Sequence, residues 1–397
     1  MDLVPRRRPF LWVAGRDVRA DEWGVEISGA LSAVSTQTRH DLGSKWVHFW
    51  ACFTALWALG VVCIGGLVTS KGVGMAVPDW PTTYGYNMFL FPISQWTGGI
   101  FHEHVHRLVA SLLGMWTVIL AVGLQWLEVR PAVRRAGWVA VALVVVQGLL
   151  GGTRVVLNAV DVFGIPGSIF FGVLHATTAQ VFLSLLMTLA WVTRSERAAR
   201  AELGQRPVSK LGAVWAALVV LVLFQLVIAA TMRHQHAGLA IPDFPLAYGH
   251  LYPSTDSASL EAINQRRTGI VDDAPVTAFQ IHLQMLHRVV AVLLVAGALG
   301  LWKAAGREDA LWRLRIRLWC GLFGIQFLLG AATVWSHKAA DVATAHVAVG
   351  AVILSTGTAM VLSRVVMEKQ FRRAFDPCET RGGFIKSAAA GRPVRVA

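Results

Sequence analysis

Charge is what this sequence has least of. Only 15% of its 397 residues are Asp, Glu, Lys or Arg, against 55% hydrophobic residues and a mean hydropathy of +0.54. Soluble domains carry about a quarter of their residues as charges, so an ordinary water-soluble fold is excluded and an integral membrane protein is implied. Cysteine is scarce as well. The four present, Cys52, Cys63, Cys320 and Cys378, form no CxxC and no pair in an outer loop. A dithiol redox motif and a disulfide scaffold are thereby set aside, and the first three read as small core residues within spans. A cleavable leader is also missing from the reading: the first 45 residues are polar and basic, so the first apolar run is expected to stay as an anchor behind a cytoplasmic extension.

What is there is length in apolar runs. Stretches of about 20 residues, enough to cross a hydrocarbon core of about 30 Å, recur near 47–68, 105–127, 137–157, 169–193, 211–232, 283–302, 316–335 and 342–363. Eight transmembrane helices are expected. The net charge of +13 would suit nucleic acid if it were clustered on one face, but Lys and Arg concentrate before the first span, at 130–135, at 194–210, at 303–317 and after 364, on alternate sides of the spans. That is the positive-inside pattern. It predicts a multi-pass protein of the cell (inner) membrane with both termini cytoplasmic, touching membrane lipid and no nucleic acid.

The chain is a duplication. Pro78-Asp79-Trp80-Pro81 with Tyr84-Gly85 returns 164 residues later as Pro242-Asp243-Phe244-Pro245 with Tyr248-Gly249. His106-Arg107 returns as His287-Arg288, the Gln147 to Gly151 stretch as Gln326 to Gly330, and His175 as His346, in the same order. Four spans per repeat, an even number, give both repeats one orientation. The predicted fold is all-α: two tandem four-helix bundles related by a pseudo-two-fold axis along the membrane normal. The expected division is a cytoplasmic extension at 1–45, a first repeat at 46–206, a second at 207–366 and a cytoplasmic tail at 367–397.

Within each repeat the histidines fall near the outer ends of the second and fourth helices. An imidazole in hydrocarbon is costly unless bonded or coordinated, and bundles hold cofactors between facing helices. One imidazole from each of two helices suits a planar iron macrocycle, so His106 with His175, and His287 with His346, are candidate axial ligands of two hemes. Zinc or copper would want three or four close donors. His102 and His104 have no counterparts in the second repeat, and His104 lies about 200° around the helix from His106.

Arg107 and Arg288 follow their histidines. Each either pairs with the propionates of a bound heme or reaches the lipid headgroups. The repeats then disagree at one position: Glu103 lies three residues before His106, on the same helix face, where the second repeat has Gln284. Glu103 is either a solvated helix-start residue or the group that makes the first site reactive while the second only binds.

Glu103-x-x-His106-Arg107, the Gly65-Gly66-Leu67-Val68-Thr69 exit of the first helix, the Pro-Asp-Trp-Pro loop, the Gln-Gly-x-x-Gly-Gly at 147–152 and the Leu-His-Ala at 174–176, with their second-half matches, resemble the heme A synthase family over about residues 47–366. The resemblance implies oxidation of the ring methyl of heme O to the formyl of heme A. His106 and His175, with Arg107, would hold the heme O substrate and Glu103 would act in the chemistry. His287 and His346, with Arg288, would hold a permanent heme b as cofactor. Heme O synthase would be a partner supplying the substrate, and the electron acceptor is not named by the residues. The outer-loop cysteine pair of some members is absent between Thr69 and His102. Two other readings carry the same ligands: a diheme quinone-linked electron-transfer protein, and a heme carrier without chemistry.

Overall fold

The computed structural model describes residues 20–194, 209–266 and 275–375. Cys378, the tail beyond 375, the repeat boundary at 206 and 207 and residues 1–19 of the expected extension lie outside them. Eight helices are long and apolar enough to cross a membrane. They are α1 (Ala20–Ser70, with Lys45–Ser70 as its span), α2 (Gly98–Leu127), α3 (Pro131–Val156), α4 (Gly167–Val192), α5 (Ser209–His234), α7 (Ala278–Ala304), α8 (Ala310–Trp335) and α9 (Ala340–Phe375). A short α6 (Ser257–Arg266) lies in the loop between α5 and α7. Two two-residue strands, β1 (Asp161–Val162) and β2 (Ile165–Pro166), form a hairpin between α3 and α4 that the all-α reading did not include. Its turn uses Phe163 at φ 54° and Gly164 at φ 77°, the left-handed pair that two-residue hairpins demand.

Ends are set by local chemistry. The Thr277 hydroxyl accepts from the Gln280 amide while the Gln280 side chain accepts from the Thr277 amide, a reciprocal cap at the start of α7. Asp309 caps α8 through the Trp312 amide, and α3 opens on Pro131, where no donor is lost. The helices α2 and α7 begin earlier than hydropathy alone suggests, at 98 and 278 instead of 105 and 283.

Helix contacts close two groups of four: α1 with α2, α2 with α3, α3 with α4 and α4 with α1, and likewise α5, α7, α8 and α9. Between the groups α1 meets α9, α5 meets α4, and α4 meets α9. First helix on fourth helix in both directions is the reciprocal pattern of a two-fold relation. Each group has its own apolar core, one around Leu120, Leu124 and Leu186, the other around Trp215, Trp312 and Trp319. Opposite the histidines, Glu308 and Arg364 form a buried pair at 2.7 Å that ties the α7–α8 turn to α9. Of the cysteines, Cys320 is buried as expected, Cys63 is half-buried, and Cys52 faces outward. A thiol on the lipid side of a span loses no burial.

Candidate functional site

The loop between the first two spans of each repeat is built on an aspartate. Asp79 accepts from the Tyr84 amide at 2.8 Å and the Gly85 amide at 2.9 Å, and Asp243 accepts from the amides of Tyr248 and Gly249 at 2.7 and 3.0 Å. Tyr84 and Gly85, like Tyr248 and Gly249, have positive φ, and the carboxylate secures the turn that this conformation makes. Burial alone would raise the Asp79 carboxyl, but the hydrogen bonds from Gly85, Thr82 and Tyr84 outweigh it and hold it below the usual aspartate range. Tyr84 and Tyr248 donate their hydroxyls to the carbonyls of Ala76 and Ala240.

The loop is then gripped from the second helix of its repeat. Arg107 donates to the carbonyls of Asp79 (2.7 Å), Thr82 (3.1 Å) and Val77 (3.0 Å), and Arg288 to those of Asp243 (2.7 Å) and Leu246 (2.8 Å). Loop carbonyls therefore occupy both guanidinium groups, and any heme carboxylate would compete with them. Glu103 is 4% exposed, so it is not a solvated helix-start residue. Its Oε2 accepts from the Val77 amide at 2.9 Å and its Oε1 from Arg107 at 2.8 Å. Gln284, 3% exposed, does the equivalent work: its Oε1 accepts from the Ile241 amide at 2.6 Å and its Nε2 donates to Ile241 and Gly238 carbonyls.

Beneath the first loop lies a cavity of about 490 Å³, inside the range of cofactor pockets. Glu103, His106, Arg107 and His175 all line it, with Trp80 from the loop. Glycines make the histidine seats: a Cβ on Gly65 would stand 2.9 Å from the His106 ring, and one on Gly151 3.3 Å from the His175 ring. Gly330 makes the same seat for His346 at 3.2 Å. His175 Nδ1 lies 3.2 Å from the Gln147 carbonyl, which orients the ring and leaves Nε2 for a ligand. In the second bundle the centres of the His287 and His346 rings are 6.4 Å apart. Imidazole nitrogens sit about 2 Å from a transition metal with the ring centre about 1 Å further, so two trans imidazoles have centres about 6 Å apart. The pair fits one metal ion between them. Nδ1 of His106, His287 and His346 is buried without a hydrogen-bond partner, so these rings, unlike His175, lack the bond on the second nitrogen that usually orients a metal-bound imidazole. Among the described residues no three His, Cys, Asp or Glu group together; each bundle offers a pair. His104 stands away from the cavity, fully buried against Phe91 and Trp96.

Three lining residues were not singled out from sequence: Arg154 at the end of α3, and Arg233 and His234 at the end of α5, which belongs to the other bundle. Arg233 donates to the Gly66 carbonyl and the Ser70 hydroxyl across the interface, and His234 packs where Gly172 lacks a side chain. Setting the two repeats side by side, as for Glu103 and Gln284, would have found them, because their matched positions hold Thr333, Thr69 and Ser70.

Fold and site together define an eight-span membrane protein of two four-helix groups, each with a histidine pair beneath an aspartate-built loop. The family model of cytochrome oxidase assembly proteins, COX15-CtaA, matches residues 48–358, and the chain belongs to that family. It is similar to the heme A synthase of Sphingopyxis alaskensis, 26% identical over 376 residues that cover 85% of this chain and 96% of the relative. The heme A synthase of Alkalihalophilus pseudofirmus is 25% identical over 80% of this chain and 97% of its own. That of Anaplasma marginale is 30% identical over 65% and 70%.

Proposed function

We propose that the protein is a heme A synthase, an oxidoreductase that converts the ring methyl of heme O to the formyl of heme A. One observation carries the placement of the chemistry: two loops built alike are held by a carboxylate, Glu103, in one bundle and by an amide, Gln284, in the other, and the carboxylate lines a cavity with two histidines. The first bundle is the reaction site, with His106 and His175 as ligands of the heme O iron. The second, with His287 and His346, holds heme b, which when bound supplies a one-electron carrier beside the reaction. Both termini lie in the cytoplasm and both sites face the outer side.

The conversion of R–CH₃ and H₂O to R–CHO releases four protons and four electrons. Histidine on both faces of the substrate iron leaves no open position for oxygen activation, which favours water as the oxygen source and electron withdrawal toward an acceptor outside this chain. Glu103 is the general base. A carboxylate has about four lone-pair positions and two are used by Val77 and Arg107, so acceptor capacity remains. Arg107 orients it, and Trp80, fitted against Gly152, closes the cavity above. Heme O synthase would deliver the apolar substrate. Extracting the hemes after expression with and without a heme O supply tests the reading. A formylated product only with heme O supports it, while unaltered heme under both conditions would leave the electron-transfer or carrier readings.

A further inference from the structure

The first cavity carries more positive charge than its own residues neutralise. Arg107, Arg154 and Arg233 line it against one carboxylate, Glu103, which leaves two positive charges among the described lining residues. Glu103 is already engaged by Arg107 and the Val77 amide. Arg154 has no hydrogen bond or ion pair to a described residue, and its Nε is buried. Its guanidinium lies where a Cβ on Gly74 would stand 3.2 Å away, and it is close enough to His175, Arg233 and His234 to interact with each electrostatically. Like charges that converge in a low-dielectric site repel unless an anion stands between them.

The second bundle does not repeat this. It has Thr333 at the position of Arg154 and, near Gly238 as Arg154 is near Gly74, a single Lys338. It has nothing like Arg233 and His234, because the matched end of α1 is Thr69-Ser70. The surplus therefore belongs to one cavity, and half of it is delivered by the neighbouring bundle.

We infer that Arg154 and Arg233, with His234 beside them, form a carboxylate-binding subsite for the two propionates of the tetrapyrrole in the first cavity. This rests on the reading of that cavity as the substrate heme site. Two carboxylates match the two unneutralised charges, and guanidinium is the side chain suited to them. Arg107 is left to the loop. Because Arg233 comes from α5, the substrate site is complete only when the bundles are docked, which links substrate capture to the half that holds the permanent heme.

The test uses the full-length protein in lipid nanodiscs, loaded with heme b, titrated with ferric protoporphyrin as the free diacid and as its dimethyl ester and read by absorbance. Wild type should favour the diacid, and Arg154→Gln with Arg233→Gln together should bind it roughly ten- to a hundredfold more weakly, as expected for lost charged hydrogen bonds, while ester binding stays unchanged. Arg154→Lys with Arg233→Lys should restore part of the preference, and an intact heme b spectrum reports that the fold survives. Equal diacid preference in wild type and in the Gln pair would overturn the subsite. Titration that His106→Ala leaves unaltered would instead overturn the heme reading of the cavity. Loss of the preference in wild type on moving from neutral to anionic lipid would make the subsite a headgroup site and also overturn the proposal.

Discussion

The two bundles are one construction used twice, and the difference between them is small and local. In both, an aspartate shapes the loop, an arginine grips its carbonyls and a side chain three residues before the histidine takes a buried amide. Gln284 answers the remaining loop carbonyls with its own N–H groups. Glu103 has no donor to offer, and Arg107 supplies the bond to Val77 O in its place. A carboxylate thus stands in the first bundle where the second holds an amide of similar shape, with an adjacent guanidinium making the exchange tolerable. Under the proposed function, one buried group whose hydrogen bonds both bundles provide separates a reaction site from a binding site.

The largest effects should come from the ligands. His287→Ala or His346→Ala should remove the low-spin heme b signal, whereas His106→Ala or His175→Ala should spare it and abolish turnover; a full bis-imidazole spectrum in His287→Ala would break the assignment. Next comes the carboxylate. Glu103→Gln makes the first site imitate the second, so folding and heme b should persist while heme A formation falls by about 10² to 10⁴. Turnover within a few-fold of wild type would reduce Glu103 to a loop clip.

The arginines should sharpen the comparison in stability. Arg107→Leu leaves a buried carboxylate unpaired and should cost about 3 to 5 kcal/mol, against about 1.5 to 3 kcal/mol for Arg288→Leu, which loses charged hydrogen bonds only. Denaturation in detergent gives both values, and equal costs would mean that the Glu103 pair contributes nothing. The smallest effect is expected at Gly152, where a Cβ would stand 2.2 Å from the Trp80 ring. Gly152→Ala should cost about 1 to 3 kcal/mol and raise hydrogen exchange in the first loop; unchanged exchange would show that Trp80 yields freely.

Much of this was legible along the chain. Apolar run length placed the eight spans, and matched landmarks exposed the duplication and both histidine pairs. Glu103 was found because it differs from Gln284. Its burial was not legible, since the covering loop starts 26 residues earlier, at Val77, and periodicity within α2 says nothing of what returns over it. The same holds for Arg107 and Arg288: their position beside the histidines suggested carboxylates or headgroups, and the loop carbonyls that fold back onto them were not legible.

The sequence by itself determined the membrane class, the repeats, the number of spans and the histidine pairs proposed as ligands, because hydrophobic length and residue chemistry are local properties. Which side chains share a cavity was decided by the packing of the two bundles. Arg233 meets Gly66 and Ser70 across 167 and 163 residues of chain, and Gly172 admits His234 from the other half. Contacts of that range arise only when helix faces dock, so the charge of the first cavity is a property of the tertiary structure.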